Sequence, residues 1–241
     1  MFLKTNAIIL HHIKCSDSSI ILHTFTEQRG RMVFVVNGIK SKKCIVKPGL
    51  LAPLSVVELE VDYNPNKEIH RIKECKNAHF FTSIPFDPIK NSITFLISEV
   101  LFRCLKETDK NEPLFNFLLQ SIVSLDVLDK GVANFHLVFL VKLAAFLGFQ
   151  PNMDNEKNDT YFDMINGCFL LSKPLHLNYL SINDSNLLKE LITNDFETIY
   201  SLALSQQQRN NMLENLIDYY SLHLAEFGHV KSINVLQTLF K

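Results

Sequence analysis

Residues 18–54 read SSIILHTFTEQRGRMVFVVNGIKSKKCIVKPGLLAPL, and the fold of the first third of the chain turns on this stretch. Ile20 to Phe25 and Met32 to Val36 are runs of mostly aliphatic and aromatic residues separated by the polar Glu27-Gln28-Arg29-Gly30, a composition that predicts a β-hairpin. The second run enters Asn37-Gly38, a pair suited to positive φ. It then enters a loop carrying Lys40, Lys42, Lys43 and Lys47, which Pro48-Gly49 stops. On this reading the cations gather at one end of a small sheet. Residues 1–50 carry eight basic side chains against two acidic ones, a local balance of +6. A phosphate backbone is attracted to such a patch.

Strands continue on both sides of the hairpin. Ala7-Ile8-Ile9-Leu10, within Thr5 to Ile13, is an apolar run expected to be a buried first strand. Ser55 to Val61 alternates Val57, Leu59 and Val61 with Glu58 and Glu60, as a half-buried antiparallel strand does. After the turn Asp62-Tyr63-Asn64-Pro65-Asn66, Glu68 to Cys75 supplies a fifth strand. Five short strands with no long helix among them point to a small barrel such as the five-stranded OB-fold, a common binder of single-stranded nucleic acids. Phe25 and Phe34 sit in the apolar strands and are assigned to the core, not to base stacking.

Composition changes at Thr82-Ser83-Ile84-Pro85-Phe86-Asp87-Pro88, which is read as a linker between residues 1–80 and a helical domain, 81–241. Ile89 to Glu107 and Glu112 to Leu128 place apolar residues at three- and four-residue spacings, predicting two helices. A third, from about Val132 to Leu147, is apolar nearly all round and belongs at the centre of a bundle, with Gly148 as its stop. Asn166-Gly167 between Tyr161–Ile165 and Cys168–Leu171 predicts a projecting two-stranded tongue at about 160–171. Further helices are expected at Asp184–Ile192, Phe196–Leu202, Gln206–Phe227 and Ser232–Phe240. The fold class is therefore α+β: an N-terminal barrel, then a helical bundle with a small β-hairpin insertion.

The 241 residues are 47% hydrophobic and 20% charged, ordinary for a globular protein, but the net charge of −1 conceals a division. Residues 1–80 sum to +5 and residues 81–241 to −6, which points to different partners for the two parts. Met1-Phe2-Leu3-Lys4-Thr5 lacks the pattern of a secretory signal, so a cytoplasmic location is expected. Phe135 to Phe149 is too short and, with Lys142, too charged for a membrane span. Five cysteines at irregular spacing are read as reduced thiols.

Taken together, Ala7-Ile8-Ile9-Leu10, Thr24-Phe25-Thr26-Glu27-Gln28-Arg29-Gly30, Val36-Asn37-Gly38, the lysine loop, Leu51-Ala52-Pro53-Leu54 and Lys231-Ser232-Ile233-Asn234-Val235-Leu236 resemble the RecO family of bacterial recombination mediators, in order and spacing over nearly the whole chain. The resemblance implies an OB-fold with a helical domain behind it, binding and annealing of single-stranded DNA, and contact with double-stranded DNA. It also implies cooperation with RecR in loading RecA onto DNA coated by single-strand-binding protein, and a nucleoid-associated place in the cytoplasm. Two departures stand out. Where many relatives carry an arginine-rich stretch after the Asn37-Gly38 turn, this chain has Ile39-Lys40-Ser41-Lys42-Lys43, which keeps charge but loses bidentate phosphate geometry. Where many carry a four-cysteine zinc module, it has only Cys168, so no zinc and no other cofactor is expected.

Arg29, Arg31, Lys40, Lys42, Lys43 and Lys47 are thus the candidate DNA contacts, weighed against a merely solubilising surface. His11 and His12 are adjacent on a strand and point to opposite faces, so they do not form a metal pair. No HExxH, phosphate loop, paired CxxC or nucleophile elbow occurs, and no enzyme is expected. The competing function is a protein-interaction adaptor, in which the helical half holds a partner peptide in a groove beside Phe135 to Phe149, near Lys142, and the basic surface is incidental.

Overall fold

A computed structural model describes residues 1–41, 44–153 and 160–239. They form two compact units, Met1–Asp126 and Val127–Lys241.

The first unit is built on a closed five-stranded barrel: β1 (Phe2–Lys14), β2 (Ser19–Thr26), β3 (Gly30–Asn37), β4 (Val56–Asp62) and β5 (Ile69–Asn77), in spatial order β1-β2-β3-β5-β4. All pairings are antiparallel except β3 with β5, whose parallel seam aligns Val33 with Ile69 and Val35 with Arg71. β1 runs well beyond the visible apolar tetrapeptide because it serves two neighbours. Its first half pairs with β4, its second with β2, and a register shift between Ile9 and His11 bends it from one to the other. Alternation sends Leu22, Phe34, Val57, Leu59 and Val61 inward, where all are buried. Each large aliphatic or aromatic side chain so buried contributes about 1.5–3 kcal/mol. Phe25 and Phe34 are buried too, Phe34 inside the barrel and Phe25 against the ring of Phe115 at 6.4 Å.

Two helices complete this unit, α1 (Pro88–Cys104) and α2 (Glu112–Val127). α1 starts where Asp87 accepts from the N–H groups of Ile89 and Lys90, at 2.8 and 3.2 Å, with Pro88 in the first turn. Ser98, buried in α1, donates its hydroxyl to the carbonyl of Leu10 on β1.

The second unit centres on α3 (Phe135–Phe146), preceded by a 3₁₀ turn at Val132–Asn134 and buried from Phe135 to Val141 as its unbroken apolar sequence predicts. It packs on α4 (Ile182–Thr193) and α5 (Gln206–His223), and α6 (Ser232–Leu239) follows. Phe240, the last residue of the expected helix, lies outside the described residues.

Four expectations change here. The expected tongue is instead a three-stranded sheet of β6 (Tyr161–Asp163), β7 (Cys168–Leu170) and β8 (Tyr179–Leu180), ordered β7-β6-β8. It does not project: Phe162 and Phe169 are both buried, and the Phe162 ring lies 5.4 Å from that of Tyr219 on α5. The helix expected at Phe196–Leu202 is only a 3₁₀ turn, Ile199–Ser201, because the Thr198 hydroxyl bonds the backbone of Asp195 and so competes with helical pairing. α5 ends at His223, not Phe227, where the His223 imidazole meets the Met164 carbonyl at 2.9 Å and Glu226 takes a φ of 61°. Lys142 is ion-paired with Asp195, which removes the cation from the peptide groove envisaged beside α3.

Candidate nucleic-acid interface

The structure separates the six candidate cations into three settings. Lys40 and Lys47 belong to the loop after β3, and both are exposed. Gly38, at φ 71°, turns the chain out of the strand as its sequence requires, and Ile39 N–H donates to the carbonyl of Ser18 at 3.0 Å. The loop then folds back to plug the barrel: Cys44 and Val46 are buried in its core while Ile45 and Lys47 face outward. The Cys44 thiol donates to the Val46 carbonyl at 3.2 Å. An apolar anchor thereby fixes a cationic rim. Lys42 and Lys43 lie outside the described residues.

Arg29 stands at the other end of β3, in the turn from β2. The two groups are therefore not at one end of the sheet, as the sequence led us to expect, but separated by a strand of eight residues. Arg29 is exposed and its guanidinium lies 4.9 Å from the ring centroid of Tyr63, in the β4–β5 turn. Tyr63 in turn stacks on His70 at 5.1 Å, with 11° between the rings.

Arg31 has a third setting, inside the unit. Its Nη1 donates to the carbonyls of Phe102 and Leu105, each at 2.7 Å, and its Nη2 lies 3.3 Å from His23 Nδ1. These are orphan carbonyls at the C-terminal end of α1, where a cation is also favoured by the helix dipole. Arg31 is thus a bracket between barrel and helix. His11 joins it, its ring 4.7 Å from that of Phe102. Burial, then the Arg31 charge, lowers the pKa of His23 to about 4.

Register sorts the remaining barrel cations. Lys4 pairs with Glu58 at 3.0 Å, Lys14 with Asp17 at 3.6 Å, Lys73 with Asp62 at 3.9 Å and Lys76 with Glu74 at 2.9 Å. Arg29, Lys40, Lys67 and Arg71 form no ion pair among the described residues. Lys67 and Arg71 did not stand out in the sequence, because they lie in a stretch of mixed charge where only pairing tells a free cation from an engaged one. Among the described residues no three His, Cys, Asp or Glu side chains are grouped to hold a metal ion. None of the described helices is long and apolar enough to cross a membrane.

A closed five-stranded barrel of this strand order is an OB-fold, here followed by a helical region, and its unpaired cations face outward around it. Comparison with known proteins agrees. The family model "Recombination protein O N terminal" matches residues 1–81, and "Recombination protein O C terminal" matches residues 85–232. The chain is 42% identical over 241 residues to the DNA repair protein RecO of Bacteroides fragilis and 40% identical over 240 residues to that of Phocaeicola vulgatus. It is 30% identical over 246 residues to that of Porphyromonas gingivalis, and each comparison covers 100% of both chains. The chain belongs to the RecO family of DNA repair proteins.

Proposed function

We propose that the chain is a non-enzymatic mediator that binds single-stranded DNA on its barrel and speeds the annealing of complementary strands. With RecR it helps load RecA onto DNA coated by single-strand-binding protein, acting at the nucleoid in the cytoplasm. In this reading the barrel, residues 1–80, handles DNA, and residues 81–241 serve the protein partners.

The observation that carries the reading is the set of outward cations without an ion pair among the described residues, Arg29, Lys40, Lys67 and Arg71, on a fold suited to single strands. A paired lysine must give up its carboxylate to meet a phosphate, whereas these need not. Annealing requires two polyanions to approach, and cations on the protein reduce their repulsion by displacing condensed counterions. The same neutralisation serves the duplex product. Arg31 is withdrawn from the contact set by its two helix carbonyls, so Arg29, Lys40, Lys42, Lys43 and Lys47 remain from the sequence-derived list.

Two measurements test this. Converting Lys40, Lys42 and Lys43 to Ala removes up to three phosphate contacts, each contributing about −0.7 to the slope of log K against log salt, so the slope should flatten by roughly 2. A strand-annealing assay at low salt with excess protein should show clear acceleration over protein-free DNA. A rate equal to that of free DNA would sink the proposal.

A further inference from the structure

The unpaired cations leave a gap to explain, since Lys40 and Arg29 stand at opposite ends of β3. Eight residues of strand span roughly 23 Å. A groove of about 740 Å³ lies between the two ends, on the seam where β3 runs parallel to β5. Val35, Ile69, Lys67 and Arg71 line it with Tyr63 and His70, and so does Asp62, whose carboxylate is engaged by the Met1 N-terminus and Lys73, both at 3.9 Å. At one end Arg71 is the register partner of Val35, two residues before the lysine loop departs at Asn37. At the other end Tyr63 carries the Arg29 guanidinium.

We propose that a single strand of nucleic acid follows this parallel seam between Lys40 and Arg29, with Arg71 and Lys67 on its phosphates and a base against Ile69 and Val35. The inference rests on the reading that the barrel binds single strands, and it names the path. Three observations carry it. Lys67 and Arg71 make no ion pair among the described residues, and the β4–β5 turn that presents Lys67 is held by Asn64, whose carbonyl and side-chain oxygen accept from the N–H groups of Lys67 and Asn66, both at 3.0 Å. Ile69 is 46% exposed with Lys67 two residues before it and Arg71 two residues after, so an apolar side chain stands uncovered between two cations. The aromatic alternative is closed, because His70 stacks on the Tyr63 ring and the Arg29 guanidinium lies over it, which leaves the aliphatic floor as the base platform. A path of this length suits about four nucleotides, the lower end of the OB-fold range.

The test uses the full chain and an oligo-dT probe carrying one 2-aminopurine, with melting temperature recorded for every variant. Lys67→Ala with Arg71→Ala should flatten the salt slope by roughly 1.4, two contacts at about 0.7 each. Ile69→Asn should leave the slope unchanged, weaken binding about tenfold and reduce the 2-aminopurine signal change on binding. Lys4→Ala, which removes a cation engaged by Glu58, should change neither. Wild-type affinity and slope in the double variant, while the lysine-loop triple variant binds weakly, would overturn the path and leave the barrel reading standing. If the wild-type chain fails to bind the probe, the barrel reading falls and the path with it. Should the double variant melt early, Ile69→Asn decides alone: an unchanged 2-aminopurine signal overturns the proposal.

Discussion

The guanidinium carbon of Arg31 lies 4.5 Å from the ring centroid of Phe102, and its Nη1 donates to that residue's carbonyl at 2.7 Å. One side chain at the start of β3 thus satisfies the end of a helix 71 residues away, adding a cation–π contact to two charge-assisted hydrogen bonds. Arg31→Met keeps much of the stem but abandons the carbonyls of Phe102 and Leu105. It should lower unfolding stability by about 2–3 kcal/mol, read as a fall in the denaturant midpoint at unchanged m. Arg31→Lys should recover only part of this, because an ammonium lacks the planar fork. Single-strand affinity of the folded Arg31→Met protein, measured below its transition, should stay near wild type.

Gly30 sits in the same bracket. At φ +53° a Cβ on this residue would lie 2.4 Å from the Asp109 carbonyl oxygen and 2.8 Å from that of Glu107. Both obstacles are backbone, and Arg31 N–H donates to the Glu107 carbonyl at 2.9 Å, so the loop cannot retreat without breaking that bond. Gly30→Ala should cost about 2–4 kcal/mol, the left-handed backbone and the clash adding together. Amide hydrogen exchange should show faster exchange of Arg31 N–H.

How much of this could be read from sequence varies with the range of the interaction. The five barrel strands announce themselves through local period and composition, and Asn37-Gly38 through its turn chemistry. β1 is legible only from Thr5 to Ile13, because Phe2-Leu3-Lys4 carries no clear alternation and Lys14 reads as the start of the loop. β8 is two residues long and has no period to detect. In the candidate interface, local sequence shows where cations are but not which are occupied. Lys4 is neutralised by Glu58 only because β1 lies beside β4, and Arg31 is engaged only because α1 ends beside β3. Those facts arise from tertiary register, and a cluster of charges in the chain carries no trace of them.

Asp126, buried at the end of α2, accepts from the N–H groups of Thr82, Ser83 and Ile84 at 2.8, 2.9 and 2.9 Å. Burial alone would raise its pKa, but these bonds and the Thr82 hydroxyl outweigh that and hold it at about 2. A depressed carboxylate stabilises the fold fully above its unfolded value near 3.8 and loses that contribution as pH falls through 2. The shift corresponds to about 2 kcal/mol. Asp126→Asn should cost about that much at pH 7, and the variant's stability should change less than wild type's between pH 4 and pH 2, followed by denaturant unfolding at each pH.

His23 gives a second acid step in a separate window. Its ring meets Phe102 edge-on at 5.1 Å and faces the Arg31 guanidinium, with His11 beyond it at 6.5 Å. Burial, then Arg31, then His11 bring its pKa down to about 4 from 6.5, so it is neutral in the folded protein at pH 7. The unfolded chain therefore binds the proton more readily between these values. The neutral imidazole's contribution is complete above pH 6.5 and is lost as pH falls toward 4. Allowing for solvent screening at a partly exposed ring, the loss should be about 1–2 kcal/mol. His23→Gln keeps a polar group beside Arg31 but cannot take up a proton, so it should flatten stability between pH 6.5 and pH 4 and leave the lower step of Asp126 intact. A residual slope is expected from His11, whose pKa is also lowered, first by burial and then by His12. If His23→Gln instead reproduced the wild-type curve across the upper window, the proton would be taken up elsewhere, and burial of this imidazole beside Arg31 would not be the source of the upper acid step.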